Sequence, residues 1–238
     1  MRRIFPLLLP AIALMSATLA STVQASGLTM ADRLQAAAPD ADPVVLQLAA
    51  NALTCATAHG MTPSPHLAVI DYSRASSTPR LWVFDIREEG RLLYRELVAH
   101  GKNTGDNMAR HFSNDEGSLQ TSIGLFRTMD TYTGGNGYSM RMDGLEPGFN
   151  DQALKRYIVM HGAPYVNEDT VRKLGRLGRS WGCPAVRSGV ARQIIDTLKG
   201  GQFVFSYYPD KKWLSRSRFL NCTPSVAQLS RRQAERIN

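Results

Sequence analysis

Cysteine is scarce in this sequence, and the usual metal-binding motifs are absent. Three cysteines occur among 238 residues, none of them in a Cys-x-x-Cys pair, and there is no His-Glu-x-x-His run. Four of the five histidines also lack the spacing of metal ligands: His59, His66, His100 and His111. Because a metal site needs several ligands at short, defined spacings, we predict no metal. No glycine-rich phosphate loop occurs, and we predict no cofactor.

Long apolar runs are also missing beyond the N-terminus. Two arginines precede a mostly apolar stretch at residues 4–15, and Val23-Gln24-Ala25 has the small-residue pattern of a cleavage site. These features predict a signal peptide over residues 1–25 and export to the periplasm or cell envelope. An uncleaved anchor is the alternative, but two prolines interrupt a stretch well short of the roughly 20 residues that span a bilayer.

Acidic residues are outnumbered by basic ones. The 20 Asp and Glu against 28 Lys and Arg give a net charge of +8, and removal of the two arginines in residues 1–25 leaves +6. Outside the cytoplasm this excess favours anionic partners such as wall polymers, stem-peptide carboxylates or membrane head groups. Nucleic acid is not expected, since export removes the usual target and no groove-reading motif occurs.

The chain changes near residue 66 from a helical to a strand-rich pattern. From Thr29 to about Ala58, apolar residues recur at three- and four-residue spacing, which predicts helix, and Pro39 and Pro43 divide it into two helices. Short runs rich in β-branched and aromatic residues then predict strands at 67–72, 80–86, 92–99, 121–128, 138–142, 157–160 and 202–208.

One later helix is predicted at residues 190–198. We therefore predict a mainly-β catalytic domain over residues 66–210, with a helical N-terminal segment at 26–65. The basic C-terminal tail, residues 211–238, is expected to lie at the periphery.

The residues that suggest chemistry are concentrated after residue 160. His161 ends a predicted strand, and Cys183 follows 22 residues later, between Gly182 and Pro184. A free thiol with a pKa of about 8.5 is only slightly ionised at neutral pH, so a nucleophilic cysteine needs an imidazole or cations nearby to lower its pKa. In isolation each residue would more often be a buried core residue, but their joint placement points to a nucleophile and its base.

The odd number of cysteines leaves one thiol over. In an oxidising compartment the simplest division pairs Cys55 with Cys222 and keeps Cys183 free. Spacing alone does not establish this bridge, so an unpaired Cys55 and Cys222 remain the alternative.

His161-Gly162, followed by Ser180-Trp181-Gly182-Cys183, resembles the catalytic motif of the L,D-transpeptidases: His-Gly, a loop, then Ser-x-Gly-Cys with an Arg soon after. The run from Gly175 to Val186 is similar to the murein L,D-transpeptidase subgroup with the Ser-Trp-Gly-Cys-Pro motif. Shorter segments extend the resemblance over about residues 65–210: Val69–Ser73, His100–Lys102, Phe112–Asn114 and Gly137–Ser139.

The resemblance implies an L,D-transpeptidase-like β-sandwich in which His161 deprotonates Cys183. The thiolate would attack the amide before the terminal D-alanine of a peptidoglycan tetrapeptide stem, release D-alanine and form a thioester. An amine on a neighbouring stem would then give a cross-link between two diamino acids (a 3-3 cross-link). Water would instead give carboxypeptidase-like trimming.

Other site residues are expected around this motif. Amides near Gly182 would face an oxyanion, and Ser180 would either bond the imidazole or substrate or set the turn. A donor with a free carboxylate suits an arginine-rich site, which makes Arg179 and Arg187 candidates for substrate binding, with Tyr138 from the resemblance. Arg187 departs from the family pattern, since it follows the cysteine by four residues rather than two, and the loop from His to Cys is longer than in the commoner pattern.

Two other functions stay open. A non-catalytic wall-binding or scaffold protein would hold anionic polymer on its basic face and keep Cys183 as a structural residue. A sortase-like transpeptidase shares the order His before Cys, but places its cysteine at a strand end and its arginine on a later strand. A papain-like amidase places Cys before His, so the order here argues against it.

Overall fold

The computed structural model describes residues 27–222 and 224–237, and the predicted signal peptide at residues 1–25 lies outside them. Two helices come first, α1 (Met30–Ala37) and α2 (Pro43–Ala58), and they are separated at the predicted prolines. Each begins at a side-chain cap: Thr29 in a capping box before α1, and Asp42 before α2. Among the described residues no helix is both long and apolar enough to cross a membrane.

The strands and remaining helices follow in chain order. The strands are β1 (His66–Asp71), β2 (Leu81–Asp85), β3 (Arg91–Glu96), β4 (Val98–Ala99), β5 (Gly124–Gly134), β6 (Gly137–Gly144), β7 (Val159–Ala163), β8 (Ala185–Arg187) and β9 (Phe203–Tyr207). The helices are α3 (Glu168–Leu174), α4 (Ser188–Leu198), α5 (Lys211–Arg216) and α6 (Pro224–Glu235). The mainly-β prediction is confirmed, whereas α3, β8, α5 and α6 were not predicted.

The nine strands of the described residues join one sheet in the order β3-β2-β1-β9-β5-β6-β7-β8-β4. Neighbouring strands are antiparallel except for two parallel pairs, β1 with β9 and β7 with β8. Parallel neighbours need a crossover connection, which α3 and its flanking loops provide between β7 and β8. This second pair sets the segment after Cys183 beside the strand that carries His161.

Apolar side chains form a core on each face of the sheet. Alternate residues of β1 divide between the two, with Val69 in the core beneath α2 and α5, and Ile70 in the core beneath α4. The first core includes Phe205 and Trp213, and the second includes Ile194. Helices therefore cover both faces, and α4 is the predicted late helix.

The segment after Lys211 is not the peripheral tail that its basic sequence suggested. Trp213 and Phe219 are fully buried in the core beneath α2, and Trp213 Nε1 donates a 3.0 Å hydrogen bond to the buried Glu146 carboxylate. A disulfide between Cys55 and Cys222 ties the segment to α2, with the Cα atoms 5.7 Å apart. The prediction was wrong because the few apolar residues are scattered among charged ones and show no periodicity. Their burial against the sheet is visible only in the structure.

Candidate active site

Adjacent parallel strands bring His161 and Cys183 into one cleft. His161 on β7 is paired with Ala185 on β8, and Cys183 lies two residues before Ala185. The backbone N–H of Val159, two residues before His161, points at Cys183 Sγ at 3.4 Å. Both side chains line a cleft of about 450 Å³, although only 4% of His161 and 8% of Cys183 is exposed. A substrate must therefore enter the cleft to reach the thiol.

A tight turn from Ser180 to Cys183 presents the sulfur. Ser180 Oγ donates to the Cys183 carbonyl at 2.6 Å and accepts from the Gly182 N–H at 3.2 Å. Gly182 has a φ of 122°, which a residue with a side chain rarely adopts. Of the two roles open to Ser180, the structure shows that of a turn-setting residue. Because the Gly182 amide already has a partner, the Cys183 amide is the better candidate oxyanion donor.

The segment around Gly101 and the Thr121 hydroxyl pack against this turn and stabilise it. Gly101 and Ser180 form a parallel β-bridge. Thr121 Oγ1 accepts from the Gly101 N–H at 2.9 Å and donates to the Gly182 carbonyl at 3.1 Å. A Cβ on Gly101 would lie 2.9 Å from the Gly182 Cα, which is too close for a side chain. The turn is therefore held by close backbone packing as well as by hydrogen bonds.

Burial opposes ionisation of both candidate catalytic groups. It raises the pKa of the Cys183 thiol, an effect that the N–H of Val159 and the charge of Arg156 only partly offset. It lowers the pKa of His161, partly offset by the Gly162 carbonyl. The resting pair is therefore a neutral thiol and a neutral imidazole. The lowered thiol pKa expected from the sequence is wrong for the resting site, because apolar burial outweighs the nearby cation.

The hydrogen bond of the imidazole assigns its tautomer. His161 Nδ1 lies 3.0 Å from the Gly162 carbonyl oxygen. Since a carbonyl only accepts, Nδ1 carries the hydrogen and Nε2 has the free lone pair. Nε2 is therefore the ring nitrogen that can accept a proton.

The two predicted arginines have different places. Arg179 lines the cleft, but its guanidinium forms an ion pair with Asp106 at 2.5 Å. Arg187 lies outside the cleft lining and binds the largely buried Glu96 through two hydrogen bonds of 2.7 and 2.6 Å. The Nε and Nη2 groups of Arg187 thus join β8 to β3 through the Glu96 carboxylate.

Tyr138 also lies apart from the thiol. Its hydroxyl donates to Asp196 at 2.7 Å, and Arg192 stacks 4.2 Å from the ring centroid. Tyr138 and Arg192 line a separate pocket with Gly162, on the side of α4. The structure therefore does not bring Tyr138 to the cleft.

The sequence patterns did not indicate several residues that line the cleft. Tyr132 and Asn136 reach the cleft from the β5–β6 hairpin, and Arg156 and Tyr157 come from the loop before β7. Tyr157 and Trp181 are 80% and 77% exposed, so two aromatic rings stand at the rim of the cleft. One signal was available, since Arg156 directly precedes and Tyr157 begins the strand predicted at 157–160, which leads directly to the predicted base.

Candidate metal ligands do not form a cluster among the described residues. In the part of the chain that the structure describes, no group of three or more His, Cys, Asp or Glu could hold an ion.

The chain belongs to the L,D-transpeptidase catalytic domain family, since the model of that family matches residues 37–207. The match begins inside the helical segment and thus extends further towards the N-terminus than the resemblance over residues 65–210. No functionally curated protein matches the sequence.

Solved structures with a similar fold include L,D-transpeptidases from three bacteria. The Mycobacterium smegmatis protein is 15% identical, over 60% of this chain and 59% of that chain, with a TM-score of 0.39. Residues 123–326 of the Xylanimonas cellulosilytica protein are 18% identical, over 65% of this chain and 68% of that chain, with a TM-score of 0.34. The Stackebrandtia nassauensis protein is 13% identical, over 74% of this chain and 75% of that chain, with a TM-score of 0.36. The chain thus spans less than two thirds of the Mycobacterium protein.

Proposed function

We propose that this protein is an exported L,D-transpeptidase that remodels peptidoglycan, with Cys183 as nucleophile and His161 as base. The observation that carries the proposal is the shared cleft of a buried thiol and an imidazole with a free Nε2, in a chain of this family. Residues 1–25 would direct the protein to the periplasm and be removed. The match of the Ser-Trp-Gly-Cys-Pro run to a murein subgroup is part of the same proposal.

The first half-reaction would acylate Cys183. His161 Nε2 takes the proton from Sγ as the sulfur attacks the amide carbonyl before the terminal D-alanine of a tetrapeptide stem. The Cys183 amide would donate to the developing oxyanion. The protonated imidazole then gives its proton to the amine of the leaving D-alanine, and the rest of the stem stays on sulfur as a thioester.

A resting neutral pair suits this sequence of steps. The thiol does not need to be ionised before substrate arrives, because the proton moves to His161 as the new bond forms. The burial that disfavours ionisation of Cys183 and His161 also shields the thiol from solvent before a substrate binds.

The second half-reaction would resolve the thioester. An amine of a neighbouring stem attacks the carbonyl, loses its proton to His161, and leaves a cross-link between two diamino acids while the thiol is restored. Attack by water would instead trim the donor by one residue. The exposed rings of Tyr157 and Trp181 at the rim would contact the incoming chains.

The test is mass spectrometry of wall fragments incubated with the purified mature protein. We expect loss of D-alanine from tetrapeptide stems, new cross-links or trimmed stems, and a protein adduct of the stem mass less D-alanine. Cys183→Ala should abolish all three. His161→Gln should lower turnover by about 100-fold or more, because general base catalysis contributes at least this much.

A matched control is available for the histidine variant. His111 is exposed and lies outside the cleft lining, so His111→Gln should behave like the wild type. Wall fragments that stay unchanged with the wild type, or that change equally with Cys183→Ala, would refute the enzyme. Binding of wall polymer that survives in Cys183→Ala would then favour a scaffold.

A further inference from the structure

One cation at the cleft has no counter-ion. Arg156 lines the cleft with Cys183 and His161, and among the described residues no carboxylate forms an ion pair with it, although Asp115 acts on its charge from a greater distance. The other arginine of the cleft, Arg179, is already neutralised by an aspartate. The cleft therefore carries a net positive charge close to the nucleophile.

Arg156 is held in position by neutral acceptors alone. Nη1 donates to the Ser113 carbonyl and to Ser122 Oγ, both at 2.6 Å. Nη2 donates to Ser118 Oγ at 3.0 Å and to the Gln120 carbonyl at 2.7 Å. These bonds use the four N–H groups of the two Nη atoms, while Nε forms no hydrogen bond within the described part of the chain. The side chain is thus fixed before any ligand arrives.

A fixed, half-buried guanidinium is suited to recognising a carboxylate. Its ordering cost is met within the protein, so a ligand does not have to immobilise a flexible side chain. Partial burial reduces solvent screening and strengthens the attraction for an anion. The charge also reaches the nucleophile, since the Arg156 guanidinium acts to lower the pKa of Cys183.

The substrate of the proposed reaction supplies such an anion. A tetrapeptide stem ends in a free α-carboxylate on the residue that leaves, one residue length or roughly 3.5 Å beyond the scissile carbonyl. With the carbonyl at Cys183 Sγ, this carboxylate lies in the same cleft, where Arg156 is the cation without a partner.

We infer that Arg156 binds the terminal α-carboxylate of the donor stem and thereby selects donors that end in a free acid one residue after the scissile bond. This inference rests on the proposed function. Arg156 is then a substrate-binding residue in addition to a support for the segment from Ser113 to Ser122.

The experiment compares two donors that differ at one group: a tetrapeptide stem with a terminal acid and the same stem with a terminal carboxamide. The readout is the acylation kcat/KM of the mature protein. We expect the wild type to prefer the acid by about 10- to 100-fold, the range for a hydrogen bond to a charged group. Arg156→Gln should bring the ratio close to one, chiefly by raising KM for the acid. Arg156→Lys, which keeps the charge, should retain part of the preference.

The control variant is Arg172→Gln, which removes an exposed arginine of α3 from outside the cleft and should leave the ratio unchanged. A purely structural role would lower the rate on both donors equally, and an unchanged ratio in Arg156→Gln would overturn the inference. Arg156→Gln loses the hydrogen bonds to the segment from Ser113 to Ser122. If this loss prevents folding, the acid-to-carboxamide ratios of kcat/KM for the wild type and for Arg156→Lys test the inference. A wild type that uses both donors equally refutes the inference alone, whereas one that uses neither refutes the proposed function.

Discussion

The turn that carries Cys183 depends on one hydroxyl, and its removal gives the sharpest test of the site. Ser180 is 5% exposed, and its Oγ bonds both the Cys183 carbonyl and the Gly182 N–H. In Ser180→Ala both groups stay buried without this partner. Each unpaired buried group costs about 1–3 kcal/mol, and two groups lose their partner, so we expect the free energy of unfolding to fall by about 2–6 kcal/mol.

The effect on turnover should be larger than the loss of stability alone predicts. Without the hydroxyl, the turn is no longer closed across Cys183, and the sulfur shifts relative to His161 and the candidate oxyanion donor. Because a shift of about 1 Å in a reacting group can cost about 100-fold, we expect release of D-alanine to slow by at least about 10-fold in fully folded protein.

Urea unfolding followed by tryptophan fluorescence measures the first quantity, and release of D-alanine from tetrapeptide stems measures the second. The slope of free energy against urea should stay constant, since the variant exposes the same surface on unfolding. Ser215→Ala is the matched control, because its exposed hydroxyl bonds only the Lys212 carbonyl. A Ser180→Ala protein within about 0.5 kcal/mol of the wild type, with normal turnover, would refute the role of this hydroxyl.

Three further outcomes are expected. Alkylation of Cys183 by iodoacetamide should rise with pH only at and above the ordinary thiol range, because burial raises its pKa, and full reactivity below about pH 8 would contradict a neutral resting pair. Replacing Cys55 and Cys222 by alanine should lower the free energy of unfolding in urea by up to about 5 kcal/mol, because the bridge closes a loop across 167 positions; an unchanged unfolding midpoint would argue against the bridge. Arg187→Gln should lower the melting temperature, since Glu96 loses its bidentate partner, while KM for the donor stays constant; a raised KM would instead return Arg187 to the substrate site.

Local sequence patterns predicted much of the fold because they report local physics. The prolines at 39 and 43 separate α1 from α2, and runs of β-branched and aromatic residues mark most strands within a few residues. Short elements such as β8 and α3 were missed, since three to seven residues carry too little periodicity. The last helices were missed because charged residues surround the few apolar positions that pack.

The site shows the same division. The motif around His161 and Cys183 identified the candidate pair, and the structure brings both into one cleft. Tyr138 and Arg187 lie elsewhere, because β-sheet register, which depends on pairing between distant strands, decides which side chains share a surface. Arg156 was missed because its importance comes from what surrounds it: neutral acceptors, the candidate nucleophile, and no carboxylate partner among the described residues.

The sequence by itself determined most of the secondary structure pattern, the mainly-β class, the basic charge and the residues capable of thiol chemistry, since each follows from residue type and near-neighbour spacing. Only the tertiary structure decided the charge state of Cys183. The local motif suggested an ionised thiol, but the fold buries the sulfur at the edge of two parallel strands, and the cost of placing a charge there exceeds the help of the one nearby cation. Burial and the position of that cation come from strands and loops far apart in the chain, which no local pattern describes.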